Sequence, residues 1–217
     1  MSWRYQLNHW LWNSLDWLFP PLCGGCDRAG YRWCPDCQEQ ATRIPEPVCE
    51  ICGLTLARAG LCRTCKKSRP GFNVLRSCFV FEDLVRKALH KLNYRRNVAV
   101  SEALSLELQA RLAAQGWLVD LVVPAPLGRK RLLERGYNQV ALMARPLALG
   151  CGLADATRPL ARRRETRSQV GLSVPERMEN VSGAFKPTPN GQEEKRYRWP
   201  TTLLRLMRPF QLVARPC

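Results

Sequence analysis

The first twenty residues carry a helical pattern of apolar side chains. These side chains recur every three or four positions, with polar residues between them, at Leu7, Trp10, Leu11, Leu15 and Leu18. The spacing predicts a short amphipathic helix within residues 1–21, which Pro20 and Pro21 end. We expect its apolar face to pack on the rest of the protein. A position at a membrane interface is the alternative, because the segment is rich in tryptophan.

From residue 71 onward, strand and helix patterns alternate. Residues 77–82 (SCFVFE) have the pattern of a strand, and residues 83–94 (DLVRKALHKLNY) that of a helix. A longer amphipathic pattern over residues 98–116 predicts a second helix that stops at Gly116. Residues 119–126 (VDLVVPAP) then predict a buried strand that ends in a proline-stiffened turn.

Residues 128–150 contain a further helical pattern, which we expect to break near Pro146, and residues 158–162 (RPLAR) predict another strand. Strands that alternate with helices indicate the α/β class with a mostly parallel sheet and flanking helices. We expect this domain to span residues 71–186. Residues 187–217 are rich in proline and arginine without a clear period, which predicts a divergent tail that is disordered or encoded out of frame.

Basic residues greatly outnumber acidic ones. The chain of 217 residues has 34 Lys and Arg against 18 Asp and Glu, a formal net charge of +16. Such charge predicts an anionic partner, which is nucleic acid, a phosphorylated metabolite or an acidic membrane surface. No apolar run reaches the roughly 18 residues of a membrane-spanning helix, and the N-terminal residues lack the pattern of a signal peptide. We therefore expect a cytoplasmic protein in a reducing compartment.

Four identical Cys-x2-Cys pairs lie within residues 22–70. Their members are Cys23, Cys26, Cys34, Cys37, Cys49, Cys52, Cys62 and Cys65. Each pair can aim two thiolates at one cation about 2.3 Å away, and two pairs close a tetrahedral site with no position left for water. The pattern predicts a double zinc ribbon with two structural zinc ions; disulfides or an iron–sulfur cluster are the alternatives. Pairing in sequence order is the simplest scheme, and a crossed scheme is the other.

Three further cysteines, Cys78, Cys151 and Cys217, stand apart from these pairs. No histidine is spaced as a partner that would activate them. We expect small buried side chains or tail residues rather than nucleophiles.

Two basic segments flank the predicted helix of residues 128–150. The first holds Arg129, Lys130, Arg131 and Arg135, and the second holds Arg158, Arg162, Arg163, Arg164 and Arg167. A strand end that opens into a basic helix start is where α/β folds bind phosphates, and arginine forks hold phosphate oxygens by two hydrogen bonds. We expect the two segments to converge on one cleft.

Residues 20–185 resemble the ComF/GntX family of competence-associated, phosphoribosyltransferase-like proteins. The resemblance rests on the double zinc ribbon, on VPAPL (123–127), on Arg131 with RGYNQ (135–139), and on the spaced set Arg164, Thr166, Gln169, Leu172, Arg177, Asn180, Ala184 and Phe185. It implies a type I phosphoribosyltransferase-like domain in which the VPAP turn lies on the pyrophosphate side and residues 164–180 form a mobile loop over the substrate.

The same resemblance implies a set of phosphate-binding residues and a biological setting. The residues are Pro124, Ala125, Pro126, Arg131, Arg135, Asn138, Arg164, Thr166, Gln169 and Arg177. Members of the family are linked to natural transformation, which implies single-stranded DNA and proteins of the competence machinery as partners. Magnesium is implied only where phosphoribosyl pyrophosphate binds.

The C-terminal part departs from the family pattern. Type I phosphoribosyltransferases carry an apolar strand, two adjacent acids and a Thr-Thr-Gly turn that hold the ribose and its 5′-phosphate. No such run follows Phe185, and the pair Glu193-Glu194 has neither strand nor turn beside it. The codons of Trp199 to Thr202, TGG-CCN-ACN-ACN with G in the third positions, encode Ala-Asp-Asp in a shifted frame. We hypothesise a frameshift between residues 185 and 199; a divergent C-terminus is the alternative.

Three hypotheses for function follow. The first is a ComF-family phosphoribosyltransferase-like protein of DNA uptake, impaired in binding phosphoribosyl pyrophosphate; its enzymatic activity stays open, and we name no catalytic residue. The second is a non-enzymatic module that binds single-stranded nucleic acid, with bases stacked on Tyr31, Trp33, Tyr94 or Tyr137. The third is an adaptor whose zinc ribbons dock a protein of the competence machinery.

Overall fold

The computed structural model describes residues 20–117, 119–155 and 159–188, so the predicted N-terminal helix and the tail from residue 189 lie outside the described residues. In chain order the elements are α1 (Pro35–Gln40), α2 (Arg63–Lys67), α3 (Asp83–Tyr94), α4 (Val100–Gln115), β1 (Leu121–Val122), α5 (Arg129–Arg135), α6 (Gln139–Cys151), β2 (Ala154–Asp155), β3 (Leu160–Arg162), α7 (Val174–Val181) and β4 (Phe185–Pro187). Helices and short strands together place the chain in the α/β class.

The two long helices follow the sequence pattern closely. Helix α3 has the predicted limits, and α4 begins two residues after its predicted start. Gly116 ends α4 with a left-handed φ of 60°, a conformation that glycine adopts without steric cost. None of the described helices is both long and apolar enough to cross a membrane.

The strand predicted over residues 77–82 is wrong. In this segment Phe79 forms one isolated antiparallel bridge with Arg43, and Val80 donates a 2.8 Å backbone hydrogen bond to the carbonyl of Thr42. Phe79 and Val80 are both buried, whereas the pairing partner is only the short link between the two cysteine-rich modules. The ladder therefore does not extend into a strand.

The predicted strand over residues 119–126 is reduced to β1. Pro124 and Pro126 lack the backbone N–H that a ladder requires, so pairing stops before them. Strand β1 runs parallel to β2, with Leu121 opposite Ala154.

The predicted helix break near Pro146 is also wrong. Residues 128–150 form two helices separated at Gly136, which has a φ of 81°, and Asn138, whose side chain caps α6 by accepting from the Val140 N–H at 3.0 Å. Pro146 lies inside α6, where its carbonyl accepts a hydrogen bond from the Gln109 side chain of α4. Packing of α6 along α4 thus outweighs the local cost of proline.

The described strands form two separate pairs. Alongside the parallel β1 and β2, β3 and β4 pair antiparallel, with Arg162 opposite Phe185. The predicted strand of residues 158–162 corresponds to β3, although Arg158 lies outside the described residues. Of the mostly parallel sheet that we predicted, the described residues form one parallel pair. The phosphoribosyltransferase-like topology stays a prediction.

The main core lies between α3, α4 and α6. Its buried members are Ala88, Leu92, Val100, Leu104 and Met143. Trp33 from the first cysteine-rich module packs against this core and against two neighbouring apolar clusters. The first module is therefore part of the same packed body as the helices.

Buried acids on α4 hold the first module in place. Arg32 forms an ion pair with Glu102, and Glu107 accepts a 2.8 Å hydrogen bond from the Gln38 amide and a 3.0 Å ion pair from Arg43. A buried carboxylate needs such partners because isolated charge is costly away from water.

Candidate metal centres and basic surface

Eight cysteines form two separate four-sulfur clusters. The first contains Cys23, Cys26, Cys34 and Cys37, and the second contains Cys49, Cys52, Cys62 and Cys65. Within each cluster all sulfur atoms lie within 4.8 Å of one another. The structure thus follows the sequential scheme predicted as the simplest and not the crossed one.

The sulfur geometry fits zinc. Sγ of Cys26 lies 3.6 Å from Sγ of Cys34, and Sγ of Cys52 lies 3.7 Å from Sγ of Cys62. Four sulfurs placed tetrahedrally around zinc at about 2.3 Å are about 3.8 Å apart. Disulfides are excluded among these side chains, because sulfurs bonded to each other lie about 2.05 Å apart. Bound zinc would cross-link each pair of turns as a structural ion.

Backbone amides support the thiolates that such an ion needs. The Cys34 N–H donates to Cys23 Sγ at 3.3 Å, and the Cys62 N–H donates to Cys49 Sγ at the same distance. Burial raises the pKa of Cys23 and Cys49, but several backbone N–H donors outweigh it and lower each pKa to about 6. Each cluster therefore holds one sulfur that is readily ionised.

The two metal centres differ in their surroundings. The first packs against Trp33 and Leu84, which belong to the helical core. The second packs within its own module, where Ile51 is buried and Phe72 is partly buried against it. Loss of the first centre is therefore expected to disturb the helices, and loss of the second to stay local.

Burial disfavours the thiolate form of the two isolated cysteines that lie in the described residues. Burial raises the pKa of Cys78 to about 11, and it also raises the pKa of Cys151. A thiol at neutral pH is a weak nucleophile. Cys217 lies outside the described residues.

The turn that follows β1 is tied to α6, and the first basic segment contacts the loop that carries the second one. The Asn138 amide donates to the Ala125 carbonyl at 3.0 Å and so ties the turn of Pro124 and Pro126 to the start of α6. The Lys130 N–H donates to Oε1 of Glu165 at 3.3 Å. A carboxylate of the protein itself therefore lies at the helix start where we expected a phosphate.

Arginines of the second segment are engaged by the protein. The Arg164 guanidinium donates to the carbonyls of Asn180 at 3.1 Å and Ser182 at 2.8 Å, at the end of α7. Arg162 donates to the Thr166 hydroxyl and lies over the Phe185 ring. These contacts shape the loop and reduce its capacity to hold a ligand.

Other predicted loop residues lie nearby. Burial lowers the pKa of Arg162; the charge of Glu165 opposes this shift, and those of Arg131 and Arg164 add to it. The Gln169 carbonyl accepts a 3.3 Å hydrogen bond from the Leu172 N–H. Arg177 is half-buried, and its Nε has no hydrogen-bond partner among the described residues.

Sequence reasoning missed a basic surface on α3. A groove of about 720 Å³ runs between this helix and the first metal module. We call it the α3 groove, and its lining residues are Leu22, Asp27, Arg86, Lys87, His90, Lys91, Arg95 and Asn97. Basic residues at helical spacing over 86–96 were the signal that could have revealed it.

A smaller cavity of about 230 Å³ adjoins the groove. We call it the arginine cavity, and its lining residues are Asn93, Tyr94, Arg96, Arg131, Glu134, Arg135 and Tyr137. His90 of the groove contacts Tyr94 of the cavity, with ring centres 4.9 Å apart. Arg131 and Arg135 were predicted as phosphate ligands; the structure adds Arg96 to them.

The aromatic side chains proposed for stacking differ in accessibility. Tyr94 is 63% exposed and Tyr31 is 45% exposed. Trp33 packs in the core instead, and the Tyr137 hydroxyl donates to the Leu92 carbonyl. Tyr94 is thus the aromatic residue that lies beside the basic groove.

Comparison with known proteins adds independent information. The profile of the double zinc ribbon domain matches residues 14–66. DNA utilization protein YhgH of Salmonella typhimurium is 31% identical over 177 residues, which cover 77% of this chain and 78% of that protein. Competence protein F of Haemophilus influenzae is 25% identical over 70% of this chain and 68% of its own length. Competence protein ComFC of Bacillus subtilis is 26% identical over 51% of this chain and 49% of its own length. No solved structure matches the chain.

Proposed function

The chain belongs to the ComF family, and we propose that it binds single-stranded DNA during DNA uptake, through phosphate contacts in the α3 groove. Two kinds of observation support the proposal. One is similarity to proteins named for DNA utilization and competence. The other is the surface beside the first metal module, which offers charge and an aromatic ring without a sequence-reading element.

The excess positive charge of the groove is the observation that carries the proposal. Asp27 is its single acidic residue, and that carboxylate lies 2.7 Å from the Lys91 ammonium. Arg86, Lys87 and Arg95 are exposed, and none of them forms an ion pair within the described ranges. Cations held along one helix face attract a polyanion and release its counterions.

Tyr94 adds a surface for bases at the end of this groove. Its ring is mostly exposed and contacts His90 on the preceding turn. Base stacking on an aromatic side chain is worth roughly 1–3 kcal/mol and tolerates any base. The groove therefore suits a strand whose bases are unpaired, since paired bases cannot reach the ring.

Salt dependence of oligonucleotide binding tests the proposal. Fluorescence anisotropy with a labelled single strand of roughly 12 nucleotides is expected to show affinity that falls steeply between about 50 and 200 mM salt. The double variant Arg86→Ala/Lys87→Ala should weaken binding and flatten the salt slope. Arg145→Ala, which removes an exposed arginine on α6, is the matched control. Absence of binding at low salt, or equal binding by the double variant, would contradict the proposal.

Phosphoribosyl transfer is the second candidate function, and it rests on the contact of residues 123–131 with the loop of residues 162–167. Contacts from Asn138 to Ala125 and from Lys130 to Glu165 support a phosphoribosyltransferase-like layout. The chain lacks the acidic pair with Thr-Thr-Gly, so we propose that it does not bind phosphoribosyl pyrophosphate and magnesium appreciably. Titration calorimetry with both should show no heat of binding. Clear saturable binding would reinstate the enzyme hypothesis.

A further inference from the structure

We infer that the arginine cavity binds a phosphate monoester at the end of a nucleic-acid strand. The inference rests on the proposed function, because the strand would lie in the α3 groove and end at the cavity. Beyond the proposed function, the inference specifies the chemical group that the arginine cavity accepts. The argument depends on how three arginines are held around one small space.

Arg135 is fixed in place by two contacts. Its guanidinium carbon lies 5.0 Å from the centre of the Tyr94 ring, and its Nη1 donates to Oδ1 of Asn93 at 3.2 Å. A guanidinium stacked on a ring keeps its remaining N–H groups directed along the plane. Those donors are therefore already oriented toward an oxyanion before one binds, which lowers the entropic cost of binding.

Arg96 is placed by an unusual backbone conformation. Its φ is +53°, in the left-handed region that costs energy for a residue with a side chain. The Val98 N–H donates to the Arg96 carbonyl at 2.8 Å, and the neighbouring Asn97 amide donates to the Leu22 carbonyl at 2.9 Å. The tight turn after α3 is thereby anchored to the first metal module and brings Arg96 to the cavity.

The charges around the cavity are unbalanced. Arg96, Arg131 and Arg135 face a single acid, Glu134, which leaves a net of two positive charges. None of the three arginines forms an ion pair with another described residue. A phosphate monoester carries about −1.5 to −2 at neutral pH, and a diester inside a strand carries only −1. The monoester therefore matches the cavity more closely.

The volume of the arginine cavity also favours a terminal phosphate monoester. The cavity of about 230 Å³ is smaller than the roughly 300–1,000 Å³ of ligand pockets. Tyr94 and Tyr137 flank it, and the Tyr137 hydroxyl is already bound to the Leu92 carbonyl. The space thus admits a phosphate group and the adjoining sugar rather than a strand that passes through.

Affinity for matched oligonucleotides tests the inference. We would measure single strands of roughly 12 nucleotides with a 5′-phosphate, with a 3′-phosphate or with neither, and a deoxynucleoside 5′-monophosphate as competitor. We expect one of the two phosphorylated strands to bind about tenfold tighter than the unmodified strand, because one or two charge-assisted hydrogen bonds would give such a difference. Arg135→Ala and Arg96→Ala should abolish this preference, whereas Arg145→Ala should retain it.

Arg135→Lys separates the chemistry from folding. It keeps the charge but loses the fork, so it should reduce the end preference while the thermal unfolding midpoint stays close to wild type. Equal affinity for all three strands, or a preference that survives Arg96→Ala and Arg135→Ala, would overturn the inference and leave the proposed function intact. Tighter binding of the mononucleotide than of any strand would overturn the strand-end assignment. Failure of every oligonucleotide to bind would instead defeat the proposed function.

Discussion

The Lys91 ammonium on α3 lies 2.7 Å from the Asp27 carboxylate of the first metal module, across 64 positions of sequence. The same ammonium donates to the carbonyl of Cys23, a predicted zinc ligand, at 3.3 Å. One side chain of the proposed DNA-binding helix therefore holds the loop that carries a predicted zinc ligand. Binding surface and metal centre form one structural unit.

Replacement of Lys91 should weaken this unit. Lys91 is largely buried whereas Asp27 is exposed, so we expect Lys91→Met to cost about 1 kcal/mol of unfolding free energy. Urea unfolding measures the loss. Lys87→Met, which changes an exposed residue on the same helix, should stay within about 0.5 kcal/mol of wild type. Equal losses in both variants would show that the contact contributes nothing specific.

The two metal centres should respond differently to loss of a ligand. Purified protein is expected to contain two zinc ions, and both Cys23→Ser and Cys49→Ser should lower the content to one. Because the first centre packs against Trp33 in the helical core, Cys23→Ser should lower the unfolding midpoint of the helices more than Cys49→Ser does. Elemental analysis and thermal circular dichroism measure these effects. A larger loss in Cys49→Ser would contradict the described packing.

A methyl group on Gly24 should destabilise the junction. An added Cβ would lie 2.8 Å from Cγ2 of Val100 and 3.1 Å from Cβ of Ala88, both in the core. We expect Gly24→Ala to cost about 1–3 kcal/mol through overpacking, measured by denaturant unfolding. Gly150→Ala should cost less, because there the added Cβ meets the end of the Gln109 side chain, which can move at the cost of its hydrogen bond to the Pro146 carbonyl. Equal stability of Gly24→Ala and wild type would show that the core relaxes freely.

Acid should loosen the start of α7. The Ser173 hydroxyl and the Ser173 N–H both donate to Oε2 of Glu176, at 2.6 Å and 2.7 Å, and these bonds lower the pKa of Glu176. A carboxyl group whose pKa is lowered by folding stabilises the folded state at pH values above its unfolded-state pKa of about 4.3. This contribution is lost as the pH falls through the pKa of the folded state.

Hydrogen exchange of the α7 amides measures this effect. Protection should decrease below about pH 4 in the wild type. Glu176→Gln should remove that part of the acid dependence, and Glu179→Gln, one turn later in the helix, should retain it. An unchanged profile in Glu176→Gln would refute the role of this cap.

The reading frame of the C-terminal part is itself testable. If the frameshift hypothesis holds, a shifted frame of the codons for residues 185–217 and beyond encodes an apolar run, two acids and Thr-Thr-Gly. A chain expressed from that frame should bind phosphoribosyl pyrophosphate with magnesium. If no frame contains the motif, the tail is a divergent one and the hypothesis is wrong.

Several features of this protein follow from local patterns in its sequence. The Cys-x2-Cys spacing predicted both clusters and their sequential pairing, because a short turn brings its own two sulfurs together. Helix periodicity predicted α3 and α4, since their apolar faces pack on the core. The contact of Lys130 with Glu165 brings the two basic segments together, and their forming one ligand cleft stays a prediction.

The errors concern features that local patterns do not decide. The pattern of residues 77–82 predicted a strand that lacks a partner long enough to pair with it. Pro146 predicted a break that the packing of α6 on α4 overrides, while the actual break lies at Gly136. Pairing partners and helix packing come from distant residues, so periodicity alone does not contain them.

By itself, the sequence determined the two four-cysteine clusters, the long helices, the excess of positive charge and the family. Only the tertiary structure decided where that charge is available. It assigned Arg164 to the carbonyls at the end of α7, and it left Arg86 and Lys87 exposed beside Tyr94. An arginine binds a ligand only if the fold leaves its donors free, and that depends on neighbours far away in the chain.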